Sequence, residues 1–150
     1  MTEFTIPDEA KMIDLGRQVS TFLSGEMVLC LEGDLGAGKT TLVKGLLQGL
    51  GYHGAVTSPT YTLVEPYECN GLRIFHFDLY RIKDPYELEM LGIRDMLGPD
   101  TVCLFEWPDR AGNLLPKPDG IIEIAYAGEG RSVSFHGAFF EKNIPGMELV

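Results

Sequence analysis

The sequence predicts an α/β fold: a mixed central sheet with a parallel core and antiparallel hairpins, flanked by helices. Three observations predict it. Within residues 27–51 an apolar run breaks into glycines and re-emerges with helical spacing, which reads as strand, loop, helix. Two β-rich runs, 61–68 and 72–78, meet across Cys69-Asn70-Gly71, and Asn-Gly is the strongest short-range hairpin signal. A continuous apolar run at 101–105 reads as a buried strand and ends in a carboxylate, Glu106.

In chain order, Thr5-Ile6-Pro7-Asp8 combines capping-box spacing with a proline near a helix start. Met12, Leu15, Val19, Phe22 and Leu23 then recur at steps of three and four, so a scaffold helix is expected within 5–25, stopped by Gly25. The next segment carries the chemistry. Gly33-Asp34-Leu35-Gly36-Ala37-Gly38-Lys39-Thr40 fits G-x-x-x-x-G-K-[ST], the phosphate-binding P-loop, in the strand-to-helix setting that the motif requires. Glycines at 33, 36 and 38 let backbone N–H groups approach phosphate oxygens, and a helix starting near Lys39 aims its N-terminal amides at the anion. Lys39 is expected between the β- and γ-phosphates and the Thr40 hydroxyl on Mg²⁺, while Thr41 either meets a phosphate or bonds back into the helix. Leu42, Val43, Leu46, Leu47 and Leu50 pack that helix onto the sheet, and Gly51 stops it.

Residues 54–60 carry small and hydroxyl side chains around Pro59, an ordered loop. Thr57, Ser58 and Thr60 either sense a γ-phosphate and its metal or form a hydroxyl-rich turn into the following strand. The hairpin then delivers Asp78 at a strand end, placed to hold Mg²⁺ or to pair with Arg81 at the surface; His76 shares its face and reads as structural. Asp84-Pro85-Tyr86-Glu87 opens a short helix that Gly92 closes. The strand at 101–105 with Glu106 has the form of a Walker-B element, with glutamate in place of aspartate, able to reach a metal-bound water or orient the attacking one. Trp107 is either a lid on nucleotide or partner, or a wedge in the core. Arg110 either reaches a γ-phosphate or pairs with Asp109. A proline-bounded linker at 114–118 precedes a second hairpin, 121–126 and 131–135 around Gly128-Glu129-Gly130, and residues 138–150 show little periodicity.

At 150 residues the chain is expected to be one domain, 1–150, with a real core. A net charge of −10 disfavours direct tracking of an RNA or DNA backbone, so no DNA partner and at most an indirect tRNA contact are expected. No apolar run approaches the ~20 residues needed to span a bilayer. Three dispersed cysteines form neither a disulfide framework nor a metal cluster, which suits a reducing, cytoplasmic setting.

Taken together, GDLGAGKTT at 33–41, TSPTY at 57–61, HFDLYR at 76–81 and FEWPDR at 105–110 resemble the TsaE family, also called YjeE, in the right order and over essentially the whole chain. The resemblance implies a P-loop NTPase fold and a bacterial ATPase required for threonylcarbamoyladenosine (t6A) in tRNA, with ATP and Mg²⁺ as cofactors. It implies hydrolysis that is slow alone and coupled to TsaB and TsaD subunits, with the carbamoyl transfer performed on TsaD. Carried over residue by residue, 33–41 match the ATP phosphate site and Thr40 the Mg²⁺ ligand. Asp78 and Glu106 match the essential acidic residues, Trp107 the following tryptophan, and 57–61 a switch-like loop. Three other readings fit less well. A small-molecule or nucleotide kinase would need an arginine-bearing lid, and only six scattered arginines are present. A GTPase switch would need Asn-Lys-x-Asp, which is absent. A non-hydrolysing adaptor would not need Lys39, Thr40, Asp78 and Glu106 together.

Overall fold

The computed structural model describes residues 2–147 of the chain. Seven strands form one sheet in the order β1-β7-β6-β2-β5-β4-β3. These are β1 (Thr2–Ile6), β2 (Met27–Glu32), β3 (Val64–Cys69), β4 (Leu72–Asp78), β5 (Thr101–Glu106), β6 (Gly120–Ala127) and β7 (Gly130–His136). The centre, β6-β2-β5-β4, is parallel. Antiparallel β1-β7-β6 and β3-β4 close the two sides. The expected mixed sheet is therefore the one observed. Both central strands, β2 and β5, read as apolar runs because both of their faces are covered.

One face is covered by α1 (Glu9–Ser20) and α2 (Lys39–Gly49), whose Leu15, Val19, Leu42, Leu46 and Leu47 bury against Leu29, Leu31, Ile74 and Leu104. The helices themselves meet at glycines. A Cβ on Gly45 would strike the Ile13 carbonyl and one on Gly16 the Leu42 carbonyl, so the two backbones approach more closely than side chains permit. The other face is covered over β4 and β5 by α3 (Tyr86–Leu91), α4 (Ile93–Met96) and a single turn at Pro108–Ala111, around Phe77, Phe105 and Leu88.

Local signals place most elements. Asn70 and Gly71 both take positive φ, 52° and 78°, as a two-residue hairpin turn demands. Pro66 is tolerated because β3 is an edge strand. Glu87 accepts the Lys83 and Asp84 amides while Asp84 accepts the Tyr86 amide, which realises the expected box before α3.

Four expectations are corrected. Residues 2–6 are a strand, because Phe4 and Ile6 face the core when β1 pairs with β7; α1 begins only after Asp8, which caps the Lys11 amide. That helix ends at Ser20 with Thr21 as its C-cap, short of Gly25. β3 starts at Val64 rather than 61, since Leu63 turns the chain with φ 71°. Ala138–Asn143 form a helix, α5, that buries Phe140 on Phe135, followed by a turn at Ile144–Gly146; Glu148, Leu149 and Val150 lie outside the described residues.

Candidate phosphate site

The C-terminal ends of parallel strands converge on one side of the molecule, where ligands of open α/β sheets bind. β2 leads there into the loop 33–38. Gly33, Gly36 and Gly38 have φ of 153°, 78° and 119°, values that side chains resist, and a Cβ on Gly33 would collide with the Ile124 carbonyl. Ala37 is wholly buried and anchors the loop from beneath. The β6-β7 hairpin fastens the loop from outside. Tyr126 Oη donates to the Leu35 carbonyl at 2.9 Å, and Arg131 Nε donates to the Ala37 carbonyl at 2.8 Å with its guanidinium over the Tyr126 ring. Gly38 stands at the N-cap of α2 with no side-chain cap, so the first amides of an 11-residue helix are left for an incoming anion.

Side chains complete the opposite wall. β4 and β5 run parallel in a register that sets Asp78 beside Glu106, and both carboxylates are buried on the face that carries α2. Asp78 accepts from the Thr60 hydroxyl at 3.2 Å and from the Tyr80 amide at 3.0 Å. Glu106 accepts from His76 Nε2 at 2.6 Å and lies 3.3 Å from Lys39 Nζ. Lys39 also donates to the Gly33 carbonyl at 2.6 Å and sits 5.2 Å from the Trp107 ring centre. Leu35, Gly36, Gly38, Lys39, Thr40 and Thr41 on one side, and Ser58, Thr60, Asp78 and Glu106 on the other, border a cavity of about 190 Å³. On the other flank of the loop, Gly36, Gly38 and Thr41 also border a cavity of about 280 Å³ that runs to Ile6, Pro7 and Met12.

Not every expected residue arrives. Thr57 is held away from the cavity, its amide donating to Tyr67 Oη at 3.1 Å, because the loop is pinned against β3. Asp34 contributes its carbonyl to the Ala37 amide within the loop. Arg81 does not pair with Asp78; it stacks on Tyr61, its guanidinium 4.5 Å from the ring centre. Arg110 lies over Tyr80 instead of pairing with Asp109. Trp107, at φ 57°, packs on Tyr80 5.0 Å away and buries an indole N–H without a partner, so the ring is partly a wedge and partly a wall beside Lys39. The sequence reading missed His76 as part of the site, as well as the Tyr126 and Arg131 fastening. His76 was discoverable only in that it shares a face with Asp78; its partner stands on another strand. The buried thiols play no part: burial pushes Cys30 up to about 11 and Cys103 up to about 12.

A family profile described as "Threonylcarbamoyl adenosine biosynthesis protein TsaE" matches residues 6–133. The chain belongs to the TsaE family. Its relatives include the tRNA threonylcarbamoyladenosine biosynthesis protein TsaE of Haemophilus influenzae, 47% identical over 133 residues, covering 85% of this chain and 84% of that one. The protein of the same name from Bacillus subtilis is 40% identical over 130 residues, covering 86% and 80%. Among solved structures, Bacillus subtilis YdiB superposes with a TM-score of 0.80 at 29% identity over 97% of this chain and 95% of that one. The matched span, residues 6–133, contains the loop 33–41 and the ends of β4 and β5.

Proposed function

We infer that this chain is the ATP-binding and ATP-hydrolysing TsaE component of t6A synthesis in tRNA, a single P-loop ATPase domain over 1–150. The observation that carries the reading is that Lys39, Thr40, Asp78 and Glu106 border one cavity at the mouth of an uncapped helix. The donor set suits a magnesium nucleotide. Glycine amides and a lysine fit phosphate oxygens, and a hydroxyl with one or two carboxylates fits Mg²⁺, which binds through few protein oxygens and keeps waters or phosphate for the rest. A magnesium ion held there would supply neutralisation of the charge on the transferred phosphoryl group.

The chain's own residues divide the remaining work. The 33–41 backbone and Lys39 hold the phosphates; for this Lys39 leaves the Gly33 carbonyl and Glu106. Thr40 and Asp78 would hold the metal, and the Thr60 hydroxyl, bonded to Asp78, ties that carboxylate to the 57–60 loop. Glu106 would receive the proton of the attacking water or of a metal-bound one. The cavity by Ile6, Pro7 and Met12 takes the nucleoside, since it adjoins Thr41 and sets these apolar side chains beside the polar Asp8, Glu9, Glu129 and Arg131. TsaB and TsaD complete the machinery, tRNA is met only through them, and the setting is cytoplasmic, in keeping with three free cysteines. No described helix is long and apolar enough to cross a membrane.

The test is Mg²⁺-dependent ATP hydrolysis by the purified chain, alone and with TsaB and TsaD. Marked stimulation by those subunits is expected. ATP consumption that appears only with a small phosphate acceptor would replace this reading with a kinase.

A further inference from the structure

Glu106 has two side-chain partners of different permanence. Lys39, on Oε1, is the partner that phosphate competes for. His76, on Oε2, has nowhere else to go: its ring is wholly buried in β4, beneath the helix-covered face, with Leu104 opposite it in β5. A carboxylate oxygen 2.6 Å away accepts, so Nε2 is the donor, while Nδ1 is buried without a partner. Leaving a buried nitrogen unpaired is destabilising. An apolar side chain would fill the same space in the sheet without that cost, so packing alone does not account for histidine at this position.

We propose that His76 is a positioning residue for ATP hydrolysis, fixing Glu106 by holding Oε2 so that Oε1 alone faces the cavity. The inference rests on the ATPase reading above. With nucleotide bound and Lys39 drawn to the phosphates, the His76 bond is the side-chain contact that keeps Glu106 from rotating toward whatever cation occupies the site. It defines which oxygen receives the proton of water, and it donates to the carboxylate without taking part in the transfer.

The experiment compares wild type, His76→Leu and His76→Gln for single-turnover hydrolysis of labelled ATP, with ATP affinity followed by the fluorescence of Trp107, the sole tryptophan. Outer partners that orient the ligands of metal sites are worth about 10–100-fold in activity, and His76 stands in the same relation to Glu106. His76→Leu is expected to slow hydrolysis by that factor while ATP affinity stays within about threefold, a change in turnover rather than in binding. His76→Gln, whose amide N–H can reach Glu106, is expected to recover most of the rate. If His76→Leu does not fold, His76→Asn, one methylene too short to reach Glu106, takes its place with the same expectation. In a Glu106→Gln background the His76 substitution is expected to add little, since there is no carboxylate left to fix. Wild-type turnover in His76→Leu, or a Gln variant as slow as the Leu one, overturns this inference alone. A wild-type chain that binds ATP and never hydrolyses it, with or without TsaB and TsaD, overturns the ATPase reading and this inference with it.

Discussion

The two walls of the cavity are built on opposite plans. The phosphate loop is one continuous stretch of backbone, 33–41, whose chemistry resides in amides and in three glycines at positive φ. The facing wall is made of side chains delivered by separate strands, with Asp78 on β4, Glu106 on β5 and His76 reaching diagonally between them. A backbone device tolerates side-chain change but not a change of conformation. A side-chain device depends on register, because slipping β4 by one residue against β5 would turn His76 and Asp78 to the opposite face of the sheet. The loop should therefore govern affinity, and the strand ends turnover.

That division can be broken by substitution. The largest effect is expected for Glu106→Ala, with hydrolysis falling about 10²- to 10⁴-fold and ATP binding retained, read by phosphate release beside a titration. Equal turnover would reduce Glu106 to an anchor for Lys39. Lys39→Ala is expected to weaken triphosphate binding by about 1.5–3 kcal/mol relative to adenosine, the worth of a charged hydrogen bond. Calorimetry that finds the two ligands equally affected would separate Lys39 from the phosphates. Gly45→Ala touches neither wall yet forces apart the helices behind both; about 1–3 kcal/mol of stability should be lost, seen as a lower melting temperature. An unchanged melting temperature would mean that the close approach of α1 and α2 relaxes freely. The smallest effect sharpens the comparison most. Tyr126→Phe removes only the hydroxyl that holds the Leu35 carbonyl, so ATP affinity should drop by about 0.5–1.5 kcal/mol with the hydrolysis rate of the bound complex unaltered. A drop in that rate instead would show the loop and the strand ends to be coupled.

The same contrast explains what could be read in advance. The loop, α2, the Asn70-Gly71 hairpin and the apolar β5 run are each encoded by neighbours in sequence, and each stands where expected. The first helix was read from residue 5 because Pro7 and Asp8 supply a strong start signal, while the pairing that makes 2–6 a strand comes from β7 at the far end of the chain. α5 escaped because its apolar residues, Phe139 and Phe140, are adjacent rather than spaced, and gain their meaning from contacts with each other and with Phe135.

By itself, then, the sequence determined that a phosphate loop lies between a buried strand and a helix, that two carboxylates end strands, and which family those blocks resemble. Local backbone preference and hydrophobic period suffice for that. Only the tertiary structure decided that Asp78 and Glu106 stand side by side, that Lys39 rests on Glu106, that Thr57 is kept out of the cavity while Thr60 reaches Asp78, and that His76 belongs to the site. Those facts follow from strand order and register, which depend on how distant segments bury one another and which no window of neighbouring residues contains.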